Sequence, residues 1–346
     1  MKRTRSENRG GELALIREIR ARAARLADRS RGGGLRLGIG DDCALVAPRS
    51  GEELAVTTDL SLAGRHFRLD WHQPEAVGHR TLARGLSDLA AMGATPVAAF
   101  LSLGLPRELS GSSSGGVVNR SWVQRFLDGL LALAEVHKTP LAGGDLAESP
   151  VAMADIVLIG AVRRGRALLR SGARSGDLVY VTGSLGGAAA GLARLRELAL
   201  KGKRNPPRIP GKLEALLAPH LYPQPRLAQG LWLRRHGFAS AAIDLSDGLS
   251  TDLAHLCEES GVAVEIDATL LPLAPGANLE QALHGGEDYE LLFTAPAAIR
   301  QPRRIAGVAL TKIGRIARPR HGQPAIKLLT PQGEEPLESH GWEHFS

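Results

Sequence analysis

Apolar residues recur at helical spacing in some stretches of this chain and in short unbroken runs in others. Leu13, Ile16, Ile19, Ala23 and Leu26 share one helical face, which predicts an amphipathic helix over 12–27 that stops at Gly32-Gly33-Gly34. Residues 54–58 read as a short strand ending at Asp59, 97–105 as a buried strand, 140–142 as a brief strand entering Gly143-Gly144-Asp145, and 153–162 as a further strand. Helical periodicity over 74–92, closed by Gly93, and over 122–136 separates them. Residues 110–116 are Ser and Gly only and read as a flexible surface loop.

The apolar pattern is interrupted by charge and glycine between Arg163 and Gly172, where we set a domain boundary, giving an N-terminal domain over 1–165 and a C-terminal domain over 166–346. The second half restarts with a strand over 178–182, turns through Gly183-Ser184 and enters an Ala-rich helix, an arrangement that suits phosphate and is also plain architecture. An exposed loop over 201–211, a helix over 227–236, a strand over 241–245, a helix over 249–259 and strands over 262–266 and 290–294 follow. Such alternation predicts an α/β or α+β protein in two domains.

Composition narrows the picture in three ways. At 43% hydrophobic residues, the 346-residue chain can bury real cores. Its first eleven residues lack an apolar h-region, and the run over 97–105 falls far short of the ~20 residues of a membrane span, so the expectation is a cytoplasmic protein. Cys43 and Cys257 are the only cysteines, too few for a disulfide scaffold or a thiolate zinc site. The formal charge of +7 suits an anionic partner, nucleic acid or a phosphorylated small molecule, and 4% aromatic content weighs against single-strand stacking.

Chemistry concentrates in short turns around aspartate. Gly38-Ile39-Gly40-Asp41-Asp42 precedes an apolar run, and Thr57-Thr58-Asp59, Ser87-Asp88, Gly143-Gly144-Asp145 and Asp244-Leu245-Ser246-Asp247-Gly248 repeat the theme. Each acid has an ordinary reading: Asp41, Asp59 and Asp145 as turn formers, Asp247 as a helix N-cap, Asp88 as an i,i+4 partner of Arg84 on an exposed face. Their recurrence favours a shared site. Oxygen ligands without Cys or His point to Mg²⁺, which prefers carboxylates, water and phosphates. No Walker A, protein-kinase or GxGxxG signature occurs, so any ATP site uses an uncommon scaffold.

Together with Gly64-Arg65-His66-Phe67, Leu86-Ser87-Asp88-Leu89-Ala90-Ala91-Met92-Gly93-Ala94 and Gly285-Gly286-Glu287-Asp288-Tyr289-Glu290-Leu291, these motifs resemble bacterial thiamine-monophosphate kinase, in the family's order, over 12–345. The resemblance implies the two-domain fold of the aminoimidazole-ribonucleotide-synthetase-like superfamily, dimerising through its N-terminal sheet, with ATP as co-substrate and several Mg²⁺ ions. It implies Asp42, Thr57, Thr58, Asp59, Asp88, Asp145, Asp244 and Asp247 as Mg²⁺ ligands, with Asp41 less central than Asp42. Gly144, Asp145, Arg170 and Ser246 would contact ATP, and His66, Glu287 and Trp342 would line the thiamine phosphate site. No catalytic side chain is implied: the chemistry would be positioning plus metal. Partners would be thiamine monophosphate, ATP and a second copy, without nucleic acid or membrane.

Three features depart from the family pattern: Gly85 stands where Asn is usual, Leu146 where Thr is frequent, and the loops over 110–116 and 201–211 are long. A phosphate-monoester acceptor has a second pKa of about 6, so its oxygen is already a nucleophile at neutral pH. Direct in-line transfer then needs charge screening rather than a base. Two alternatives stay open here: a sister enzyme of the superfamily acting on another oxygen, and a basic RNA-associated protein with a degenerate site.

Overall fold

A computed structural model of the chain describes residues 12–29, 34–110, 121–202, 205–323 and 325–341. Its N-terminal half is a four-stranded sheet under two helices. Strands β1 (Glu52–Leu62), β2 (Thr95–Leu105), β3 (Leu141–Glu148) and β4 (Met153–Arg163) lie in the order β1-β4-β2-β3. The first pair is antiparallel from Glu52 opposite Arg163 to Leu62 opposite Met153, and β2 runs parallel to β3. Both β1 and β3 run longer than their apolar residues suggest. Asp59 lies inside β1 rather than at its end, and Gly143-Gly144-Asp145 is strand rather than turn.

The central element is helix α2 (Pro74–Ala91), inserted between the two halves of the molecule after α1 (Glu12–Arg29). Pro74 sits in its first turn, where the missing N–H costs nothing, Glu75 complements the helix dipole, and Gly93 at φ +62° lets the chain leave. Val77, Leu82, Leu86 and Leu89 are buried, so α2 is covered almost all round. Gly85 is the point of closest approach to the sheet: a Cβ there would stand 2.1 Å from Leu158 Cδ1. The departure to glycine therefore fits the packing, and an asparagine would need the Leu158 side chain to move aside. Helix α3 (Trp122–Val136) lies beside α2, its start fixed by a capping box in which Gln124 N–H donates to Ser121 Oγ at 3.3 Å. Arg22 of α1 donates to Asp128 of α3 at 2.6 Å.

The C-terminal half begins with β5 (Leu178–Thr182), α4 (Gly187–Lys201), α5 (Gly211–Leu221), α6 (Leu227–His236), β6 (Ala241–Asp244) and α7 (Leu249–Ser260). It continues through β7 (Ala263–Asp267), α8 (Leu279–His284), β8 (Leu291–Ala295), β9 (Val308–Ala317), β10 (Ile326–Thr330) and β11 (Gly333–Pro336). These strands form one sheet in the order β11-β10-β7-β9-β5-β8-β6, with Arg304–Ile305 paired to β9. A single apolar cluster runs from Leu86 and Leu158 through to Leu291 and Phe293, so both halves share a core across α2. Among the described residues no helix is long and apolar enough to cross a membrane.

The outer face of the N-terminal sheet is different. Strand alternation turns Leu54, Val56, Thr58 and Leu60 away from α2, and Val56 is 63% exposed. Met153 joins this exposed apolar surface, while the ribbon of Leu35–Leu37 and Leu45–Val46 packs near Phe100 and Ile159 on the same sheet. The 110–116 loop is described only at Ser110.

Candidate active site

Where α2 meets the C-terminal half, a cleft of about 660 Å³ opens, lined by Asp59, Asp88, Asp244, Ser246 and Asp247 together with His66, Phe67, Trp71 and Glu287. Asp88 and Asp244 lie toward the C-terminal end of α2, and Glu287, held by Arg80, lies nearer its start, with Ser246 beside it. Two motif loops build its C-terminal wall by zipping backbone to backbone. Glu287 N–H donates to the Ser246 carbonyl at 2.7 Å and Tyr289 N–H to that of Leu245 at 2.8 Å. Glu287 and Tyr289 take left-handed φ values of +68° and +50°, a strained conformation that side chains rarely adopt and that surrounding contacts must enforce. Gly286 is required there, since a Cβ would stand 2.5 Å from the Ser246 carbonyl.

At the acidic end, Ser87 Oγ on α2 donates to Asp244 Oδ2 on β6 at 2.7 Å, and Thr57 Oγ1 donates to Asp88 Oδ2. Burial, reinforced by the neighbouring Asp88 carboxylate, pushes both Asp59 and Asp244 up to about 7, and burial raises Asp88 as well. Arg84 reaches Asp59 Oδ1 at 3.4 Å, and Asp59 Oδ2 is buried without a hydrogen-bond partner. Acids this poorly compensated fit a divalent cation, and an orphaned carboxylate oxygen is what such an ion would take up. Among the described residues no three His, Cys, Asp or Glu side chains form a closed metal cage. Mg²⁺ takes one or two protein carboxylates and completes its shell with water and phosphate.

At the opposite end, Arg80 ties the halves together. It donates to Glu287 Oε1 at 2.5 Å, to the His66 carbonyl at 3.0 Å, and lies 2.7 Å from His220 Nε2. His72 Nε2 stands 3.0 Å from the same His220 nitrogen. Burial beside the Arg80 guanidinium holds this histidine pair neutral, with His72 driven down to about 3 and His220 well below its ordinary value. Leu62 N–H donates to His66 Nδ1 at 3.0 Å and so fixes the ring at the cleft wall.

The cleft thus gathers Asp59, Asp88, Asp244, Ser246, Asp247, His66 and Glu287, with Thr57 bonded to Asp88 behind it. Other expected residues stand apart. Thr58 turns to the outer face and donates to Asp155 Oδ1 at 3.0 Å, because adjacent strand residues point to opposite sides. Asp145 faces outward too, in the row of Ser102, Asp155 and Leu60, on the far edge strand. Three strand spacings, about 14 Å, separate that edge from β1, so within one chain Asp145 and Asp59 do not converge. Gly144 lies beside Asp145 at φ +149°, and Asp42 is exposed in the turn preceding Leu45–Val46. Arg170 is exposed, with its charge felt at Asp88 and Asp244. Trp342 lies outside the described residues.

Sequence reasoning did not single out Arg80, His72, His220 or Tyr289, whose roles depend on contacts across the halves. Arg84, read as an exposed partner of Asp88, instead faces Asp59 at the cleft wall. The start of α4 is not open for phosphate: Asp288 accepts from Gly186 N–H at 2.6 Å and Ala188 N–H at 3.0 Å.

Residues 40–162 match the family model of the AIR synthase related protein N-terminal domain, and 174–308 that of the C-terminal domain. The chain is 39% identical to thiamine-monophosphate kinase of Escherichia coli (strain K12), covering 97% of this chain and 98% of that one. The crystal structure of thiamine-monophosphate kinase from Stenotrophomonas maltophilia K279a superposes with a TM-score of 0.74 at 38% identity, over 92% and 96% of the two chains. AaThiL complexed with AMPPCP and TMP aligns over 100% of both chains, at 32% identity and a TM-score of 0.72. With both domain models matched in order and near-full-length likeness of sequence and fold, the chain belongs to the thiamine-monophosphate kinase family of AIR synthase related enzymes.

Proposed function

We propose that this protein transfers the γ-phosphoryl group of ATP directly to thiamine monophosphate, giving thiamine diphosphate and ADP. The observation that carries the reading is the make-up of one cleft: three poorly compensated acids, Asp244 buried and Asp59 and Asp88 half-buried, toward the C-terminal end of α2, and aromatic and apolar side chains with His66 and Glu287 in the same cleft. Phe67, Trp71 and Leu192 suit the rings of the acceptor. The acidic end suits cations carrying a polyphosphate, with Ser246 and Arg170 near it. AaThiL, related along its whole length, is complexed with AMPPCP and TMP.

In the reaction an oxygen of the acceptor phosphate forms a bond to the γ-phosphorus while the bond from that phosphorus to the β–γ bridging oxygen breaks, and the electron pair leaves with ADP. The acceptor is largely dianionic at neutral pH and needs no general base. Asp59, Asp88, Asp244 and Asp247 would hold several Mg²⁺ ions, which supply charge neutralisation between two anionic reactants. Arg80 orients Glu287, and the neutral His72–His220 pair lets Arg80 direct its charge there.

The outer sheet face supports a homodimer. Leu54, Val56, Leu60 and Met153 form an exposed apolar surface of the kind that pairs copies. Thr58 and Asp145 share that face, so a two-fold pairing of the sheets can bring Asp145 and the Asp42 turn of a second copy to the β1 edge that one chain alone leaves incomplete.

Purified protein incubated with ATP, Mg²⁺ and thiamine monophosphate tests the reading. Equimolar ADP and thiamine diphosphate, with no phosphoenzyme trapped when acceptor is omitted, is the expected result. ATP consumption without thiamine diphosphate would overturn it.

A further inference from the structure

Arg80, Arg84 and Asp88 follow one another at i, i+4 and i+8 on α2 and form a stripe about 12 Å long, of which Arg84 and Asp88 line the cleft and Arg80 is buried beside it. Its first member is locked to Glu287 at the acceptor end, and its last belongs to the acidic end with Thr57. Arg84 lies between them. Its guanidinium reaches Asp59 at 3.4 Å, and its side chain lines the cleft together with His66 and Glu287. The next guanidinium along the helix is fixed, Arg80 by Glu287 at 2.5 Å. By contrast 3.4 Å is long for a charge-assisted hydrogen bond, which closes to about 2.7–2.9 Å. Asp59 thus has a loose counter-ion and a second oxygen that no donor reaches, with the Asp88 carboxyl as its neighbour.

Resting on the reaction proposed above, we infer that Arg84 has two partners in turn: it is the resident counter-ion of Asp59 in the free protein, and it becomes the ligand of the acceptor's phosphate once a metal ion takes Asp59. The midpoint of the stripe is where the acceptor phosphate and the γ-phosphoryl group must meet if the rings lie at His66 and the polyphosphate at the acids. A planar guanidinium offers two parallel donors to a phosphate there. Release from Asp59 costs little, because the pair is long and the metal replaces the charge it lost.

Two measurements on the full-length protein test this, with Arg84→Ala, Arg84→Lys and wild type compared. The first is Mn²⁺ binding to the nucleotide-free protein, read by electron paramagnetic resonance. Removing the resident cation should tighten Mn²⁺ binding severalfold in Arg84→Ala, with Arg84→Lys close to wild type; unchanged or weaker binding overturns the counter-ion role. The second is calorimetry with Mg²⁺ and a non-hydrolysable ATP analogue, comparing thiamine monophosphate with unphosphorylated thiamine. Arg84→Ala should lose about tenfold or more in affinity for the phosphorylated ligand, the scale of a charge-assisted contact, and less than twofold for thiamine. Equal losses for both ligands, or none, overturn the phosphate role. Should the wild type bind neither ligand, the acceptor assignment fails instead, and the Mn²⁺ experiment still decides the counter-ion role.

Discussion

Replacing Asp59 by Asn should make the metal-free protein more stable while removing its activity. The folded-state pKa of Asp59 stands at about 7 against 3.8 for the free side chain. Ionising it in the folded protein therefore costs up to about 4 kcal/mol, taking 1.36 kcal/mol for each tenfold change in proton affinity. Arg84 is already contained in that value, and solvent in the open cleft reduces the net cost to about 1–3 kcal/mol. For a raised carboxylate pKa the favourable contribution is complete below pH 4, where both states are protonated, and is lost as pH rises through 7. The stability gap between Asp59→Asn and wild type should thus be absent near pH 4, open between pH 4 and 7, and stay constant above. Thermal unfolding in chelator, scanned from pH 4 to 8.5, measures this; a gain of about 2–8 °C at pH 8 is expected. Adding Mg²⁺ should raise the wild-type melting temperature more than that of the variant, which lacks one of the carboxylates that would hold the ions. An Asn variant that is less stable at pH 8, with an unaltered response to Mg²⁺, would refute the idea that this acid is held in place for a cation.

Further outcomes follow from other contacts. Glu287→Gln leaves the Arg80 guanidinium, 6% exposed, without its charge partner; a loss of about 3–5 kcal/mol in urea unfolding and a raised KM for thiamine monophosphate are expected. Arg170→Ala should raise the KM for ATP more than that for the acceptor, and steady-state kinetics showing the reverse would remove Arg170 from the nucleotide site. If two copies share each site, Asp59→Asn and Asp145→Asn subunits, each inactive alone, should recover about a quarter of wild-type activity when unfolded together and refolded, because half the dimers are hybrids with one intact site in two. No recovery would mean that each chain builds its site alone.

Much of the architecture was legible in the chain because helical and strand periods are local. Helices Trp122–Val136 and Leu227–His236 and strand Leu178–Thr182 have the limits their patterns predict. Errors arose where function bent the pattern. Thr57 and Asp59 read as a strand end because they are polar, yet they alternate inward in the middle of β1 and carry the acids to the cleft. Helix α5 was hidden by Pro219 inside it, and β9 and β11 by Lys312, Arg315, Glu334 and Glu335, charges that a half-exposed strand tolerates. The candidate site was legible as motifs but not as geometry. Arg80 and Glu287 are 207 residues apart, and no local signal joins them. The four-residue spacing of Arg80, Arg84 and Asp88 was present in the chain, and its last two members line the cleft.

A crystal structure with Mn²⁺, a non-hydrolysable ATP analogue and thiamine monophosphate tests most directly whether the buried acids gather cations between two anionic reactants. Anomalous peaks against Asp59, Asp88 and Asp244, with the acceptor phosphate between Arg84 and the γ-phosphate, are expected. Peaks elsewhere with these three carboxylates uncoordinated, or an acceptor bound outside the cleft, would contradict it.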